Sequence, residues 1–181
     1  MKNKSFVRRL CRGALIGALY VILTMISHIF GLDSGKLPFG IQCRISEALC
    51  ILPLFAPEAV VGLTVGCLLS NLLVGINTGI LWQDVIFGSL ATLLGALGAL
   101  AFRRARGWVR YLASLPTVVA NAIIVPLVLR YAYGYGDAWW IFVITVSIGE
   151  LISATLLGSL LIPVVERTHI FARPDWSGLD K

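Results

Sequence analysis

Six apolar stretches separated by short loops occupy most of the chain: residues 13–30, 45–56, 58–74, 83–102, 111–131 and 139–163. A soluble domain has no interior large enough for so many runs of this length. A bilayer accepts them readily, because each helical crossing needs about 20 mainly apolar residues. Composition agrees: 58% of the 181 residues are hydrophobic and 13% are charged, against about a quarter charged in a soluble domain. The chain is therefore expected to be an all-α integral membrane protein, one six-helix domain over residues 1–181 with no separate soluble part.

The start MKNKSFVRRLCRG is basic, as in a signal peptide. The apolar run after it is longer than a signal h-region and lacks a small-x-small cleavage site, so it reads as a retained first helix. Residues 45–74 pose a sharper question, whether one kinked helix or two. Pro53 and Pro57 in LPLFAPEA break helices, and Pro57-Glu58 suits a first turn, with the carboxylate near the positive dipole end.

Charge placement decides the matter. Lys2, Lys4, Arg8, Arg9 and Arg12 precede the first run, and Arg103, Arg104, Arg106 and Arg110 lie in RRARGWVR. Both clusters belong in the cytoplasm under the positive-inside rule, which requires an even number of crossings between them. Four crossings need a turn near Pro57. Both termini are then cytoplasmic, in agreement with Arg167, Arg173 and Lys181 in the tail. The net charge of +6 is accounted for by orientation, and a nucleic-acid partner is disfavoured because the arginines hug helix ends. The run 45–56 is too short to cross about 30 Å as an α-helix, so it must tilt, extend through the polar loop before it, or sink into the bundle.

Enzyme chemistry finds little support. GLDSGKL is one residue short of a phosphate loop and follows no strand, so an outer turn is the better reading. His28 stands alone, and cysteines 11, 43, 50 and 67 show no CxxC spacing, so neither metal nor disulfide is expected. No cofactor is implied.

Polar residues inside or beside the spans are more informative, because intramembrane charges are costly and tend to be functional. GIQCRISEAL places Gln42, Arg44 and Glu47 at the entry to the second run. Arg44 and Glu47 are three apart and can pair, so a structural ion pair and ligand contact stand about even. Asn71 lies near the outer end of the third run, Trp82, Gln83 and Asp84 open the fourth, and Asn121 and Glu150 sit within the fifth and sixth. For Asn121 and Glu150, hydrogen bonding between helices competes with a ligand role. Glu58 is explained by its helix start, and Arg130 is expected to snorkel to the outer surface. Carboxylates, amides and the faces of Trp82, Trp139 and Trp140 suit a planar nitrogen heterocycle better than a lipid or a sugar phosphate. The small residues of ALIGA (Ala14, Ala18, with Gly13 and Gly17 alongside) fit either a docking face or packing within the bundle; for Gly62 and Gly66 in GLTVG, packing is preferred.

The blocks IQCRISEAL, LPLFAPEA, GCLLSNL, DVIFGSLATLL, NAIIV and GEL occur in an order that resembles the QueT family of queuosine-precursor transporters, from ALIGALYVILT to SIGELISA. The resemblance implies a substrate-binding S component of an energy-coupling factor (ECF) importer in the cell membrane, partnered by the coupling protein EcfT and two cytoplasmic ATPases. It implies a 7-deazaguanine cargo such as 7-aminomethyl-7-deazaguanine, and maps the coupling-protein contact onto Ala14 and Ala18. The site residues it suggests are Gln42, Arg44, Glu47, Asn71, Trp82, Asp84, Asn121, Trp139 and Glu150. The competing expectations are an S component for another vitamin or cofactor precursor and a stand-alone proton-coupled transporter.

Overall fold

In hydrocarbon a backbone must satisfy its own hydrogen bonds, and most of the described residues do so by winding into helices. The computed structural model describes residues 2–33, 41–78, 82–131, 139–168 and 171. Among these residues there is no strand. The α-helices are α1 (Lys2–Ile29), α2 (Ala59–Thr78), α3 (Ser89–Ala101), α4 (Leu115–Tyr131), α5 (Trp139–Glu150) and α6 (Gly158–Thr168). Tighter and wider turns join or extend them. A 3-10 helix, Gly107–Ser114, leads into α4; a π turn, Asp84–Gly88, leads into α3; a second π turn, Leu151–Leu157, joins α5 to α6.

Five helical segments are long and apolar enough to cross a membrane: Ser5–Ile29, Ala59–Ile76, Asp84–Arg104, Gly107–Tyr131 and Trp139–Thr168. The second run of the sequence takes another form, a ten-residue 3-10 helix, Ile45–Leu54, with every residue from Ser46 to Leu54 buried. At about 2.0 Å per residue it rises about 20 Å, where an α-helix of equal length would rise about 15 Å. Its slender form and burial from Ser46 onward make it the pillar of the bundle, touching α1, α2, α3 and α6. The chain then turns through Phe55–Glu58, where the amides of Ala59 and Val60 bond the carbonyls of Ala56 and Pro57.

The polarity of the fold is inverted. Large apolar side chains such as Leu15, Ile22, Val65, Leu94 and Leu160 are exposed, while Thr24, Ser46, Glu47, Thr92, Thr117 and Glu150 are buried. Without a hydrophobic driving force between helices, close packing has to supply the adhesion. The seam between α1 and α2 is made by glycines. A Cβ on Gly17 would come within 2.8 Å of the Gly62 carbonyl oxygen, and one on Gly66 within 2.8 Å of that of Gly17. Gly62 likewise sits against the Gly13 carbonyl. Both glycine pairs thus pack inside the bundle, while Ala14 and Ala18 are exposed on an adjoining stripe of α1.

The two ends of the bundle differ. At one, Arg12 pairs with Glu58 at 3.7 Å, and Arg110 pairs with Glu166 while lying 5.2 Å over the Phe55 ring. At the other, His28 meets Asp33 at 3.3 Å, and Arg130 lies over the rings of Tyr131 and Trp139. Of the expected outer loops, residues 34–40, 79–81 and 132–138 lie outside the described residues, as do Arg173 and Lys181.

Gly62→Val should force the seam open, with an overpacking cost of about 1–3 kcal/mol. Thermal unfolding in detergent should show a lowered midpoint; an unchanged one would contradict backbone contact at this seam.

Candidate functional site

The chain reaches the pillar through an extended segment. Arg44 has φ −109° and ψ 106°, the Cys43 amide donates to the Leu32 carbonyl at 2.8 Å, and the Ile45 amide donates to the Ser27 hydroxyl at 3.0 Å. Gly149 of α5 lets this segment lie directly against the helix: any Cβ there would collide with the Gln42 carbonyl. The blocks holding Gln42 and Glu150 therefore touch through backbone.

One turn into the 3-10 helix, the Glu47 side chain is 2% exposed. A carboxylate taken from water without partners is severely penalised, and two donors offset that cost. The Tyr20 hydroxyl donates to Oε1 at 2.5 Å, and the Cys50 thiol donates to Oε2 at 3.1 Å. Tyr20 belongs to a polar stripe on α1. Thr24 donates to the Tyr20 carbonyl at 2.9 Å and shares a 2.8 Å hydrogen bond with the Ser46 hydroxyl. Ser27 follows on the same face and receives the Ile45 amide.

Arg44 does not form an ion pair with Glu47 among the described residues. It precedes the helix in extended conformation, so the i,i+3 geometry of a helical face does not apply. Its Nη1 donates to Asn71 Oδ1 at 3.2 Å. Asn71 in turn donates through Nδ2 to the Asp84 carbonyl at 3.1 Å and to Cys67 Sγ at 3.4 Å. That amide ties the entry segment, α2 and the π turn before α3 together.

Glu150 ends α5 beside the second π turn, and π turns often mark functional positions. Its carboxylate lies within electrostatic reach of Glu47 and Arg44, with Asn121 of α4 as the adjacent amide. The interhelical hydrogen bond is not well formed: Glu150 Oε2 and Asn121 Nδ2 are both buried without a partner of ordinary hydrogen-bond geometry among the described residues, as is Thr117 Oγ1 one turn away on α4.

Six of the residues singled out from the sequence, Gln42, Arg44, Glu47, Asn71, Asn121 and Glu150, are thus brought into one group; Asp84 joins through its backbone carbonyl. Among the described residues, no hydrogen bond ties Trp82 or Trp139 to this group. Trp82 is 63% exposed, and Trp139 is 39% exposed with Arg130 held 5.9 Å from its ring centroid. Sequence reasoning passed over Tyr20, Thr24, Ser27, Ser46 and Cys50. The spacing of 20, 24 and 27 on an otherwise apolar helix carried the signal, because it lines one face.

Such a bundle, lipid-facing outside and lined with carboxylates, amides and a guanidinium within, defines a multi-pass membrane protein built around a polar site. The chain belongs to the QueT transporter family, whose sequence profile matches residues 10–167. It is also similar to the queuosine precursor transporter QueT of Lactococcus lactis subsp. cremoris (strain MG1363), with 39% identity over 92 residues, 50% of this chain and 49% of that protein. The match thus spans about half the length of that relative. No solved structure matches the chain.

Tyr20→Phe removes a donor from Glu47 while keeping the ring. The expected loss of stability is about 1–3 kcal/mol, the cost of a buried acceptor left short. Thermal unfolding at neutral pH checks it, and Tyr20→Phe unfolding with the unmutated protein would show that the bond does not anchor Glu47.

Proposed function

We propose that the protein is the substrate-capture S component of an ECF-type importer and binds a queuosine precursor, a 7-deazaguanine base such as 7-aminomethyl-7-deazaguanine. The observation carrying this reading is the buried polar group around Glu47, Asn121 and Glu150 in a chain of the QueT transporter family. Similarity to the lactococcal queuosine precursor transporter supports the cargo class. The chain forms one six-crossing domain, the 3-10 helix supplying the sixth crossing from within the bundle. Both termini face the cytoplasm, since the end holding Arg12, Arg103, Arg104, Arg106 and Arg110 is the basic one. The polar group then opens outward, where scarce nutrient is captured.

Energy comes from partners in this reading: EcfT in the membrane and two ATPases beneath it. Ala14 and Ala18 supply the coupling face. Their exposure, with Gly13 and Gly17 already used against α2, supports that assignment. One observation favours a second reading. The unpartnered carboxylate oxygen of Glu150 is also what a proton-coupled transporter would require. Uptake that persists in cells lacking the coupling module would select that alternative.

Three measurements test the leading reading. In a native mass-spectrometry or thermal-shift screen, a 7-deazaguanine should stabilise the purified protein while biotin, riboflavin and thiamine do not; stabilisation by a vitamin alone would overturn the cargo. Glu47→Gln and Glu150→Gln should each weaken that binding, and unchanged affinity in both would remove the polar group from recognition. Ala14→Trp with Ala18→Trp should abolish co-purification with EcfT and uptake, while the isolated protein still binds its ligand.

A further inference from the structure

The two buried carboxylates are in different states. Glu47 is committed: each of its oxygens already accepts a hydrogen bond, from Tyr20 and from Cys50, and it stands on a helix with no exposed residue from Ser46 to Leu54. Glu150 and Asn121 are 7% and 5% exposed, and each keeps one polar atom without a hydrogen bond of ordinary geometry among the described residues, an acceptor on Oε2 and a donor on Nδ2. Arg44, the cation nearest in effect, has turned part of its guanidinium to Asn71.

A donor beside an acceptor, both held away from water, constrains what can bind there. A simple cation would meet the N–H of Asn121 as a repulsive neighbour, and a carboxylate or phosphate would meet Glu150 in the same way. The complementary partner is neutral and presents C=O next to N–H, as a lactam does: its carbonyl accepts from Asn121 and its N–H donates to Glu150. An amino group beside that N–H adds a second donor toward the carboxylate.

We infer that Asn121 and Glu150 are the specificity-determining pair, reading the lactam edge of a planar heterocycle, and that Glu47 is a positioning residue that holds the pillar in place. This rests on the functional reading above and assigns roles within its site. Thr117, one turn down α4, is turned towards Gly95 of α3, where a Cβ would stand 2.6 Å from its hydroxyl; it packs α3 against α4 and is not part of the reading pair.

The test compares two bases on the same ring skeleton with reversed edges. 7-Deazaguanine offers C=O and N–H, whereas 7-deazaadenine offers an amine donor and a ring-nitrogen acceptor. Dissociation constants are measured by titration calorimetry on the full chain in detergent. The unmutated protein should prefer 7-deazaguanine. Glu150→Gln and Asn121→Asp should each cut that preference by roughly tenfold or more, because a buried edge is then mispaired. Glu47→Gln should weaken both bases by a similar factor and leave their ratio in place. If Glu150→Gln fails to fold, Asn121→Asp alone decides. A ratio unmoved in Asn121→Asp, or lost in Glu47→Gln, overturns the inference while tight 7-deazaguanine binding leaves the functional reading standing. Binding of neither base by the unmutated protein overturns both.

Discussion

A carboxylate in the middle of a membrane protein has to be held by donors, and the bond from Tyr20 to Glu47 is the one on which the arrangement turns. It clamps α1 to the central 3-10 helix across a sequence separation of 27 residues. The helix is buried along almost all of its length, so it cannot shift to recruit water for Glu47. With Glu47 held, Ser46 meets Thr24 and Ile45 meets Ser27. The extended segment before them is thereby laid against Gly149, which brings Gln42 and Glu150 together.

The same economy governs α1 as a whole. One face, Gly13 and Gly17, is given to backbone contact with α2. A second, Tyr20, Thr24 and Ser27, is given to hydrogen bonds with the pillar and its entry segment. The rest, including Ala14, Leu15, Ala18 and Leu19, points outward. A membrane helix gains little from hydrophobic contact with its neighbours, so its inward faces depend on shape and polar complementarity.

The helical class was legible because apolar runs of spanning length admit few other outcomes, and Pro57 with Glu58 marked the turn into α2. The 3-10 winding of residues 45–54 was not legible. Periods of 3.0 and 3.6 residues can be told apart only when polar positions alternate with apolar ones, and a segment buried on every side has no such alternation. Arg44 and Glu47 could be placed in one region, but pairing them assumed that the helix already included Arg44. Its extended backbone sends it to Asn71 instead. Tyr20 was overlooked because a tyrosine within an apolar run reads as packing until its hydroxyl partner is known. Trp82 and Trp139 stood beside polar residues in sequence but lie on the surface of the fold.

The three-faced design of α1 has an evolutionary consequence. Outward residues such as Leu15, Leu19 and Ile22, exposed and set apart from the Ala14–Ala18 face, share no hydrogen bond with Glu47 among the described residues, so they can be replaced by other residues of tolerable polarity without disturbing the interior. The inward residues have no such freedom, since each touches backbone or a buried charge. Substitution should therefore proceed at two speeds along a single helix, with the fast and slow positions interleaved every three or four residues.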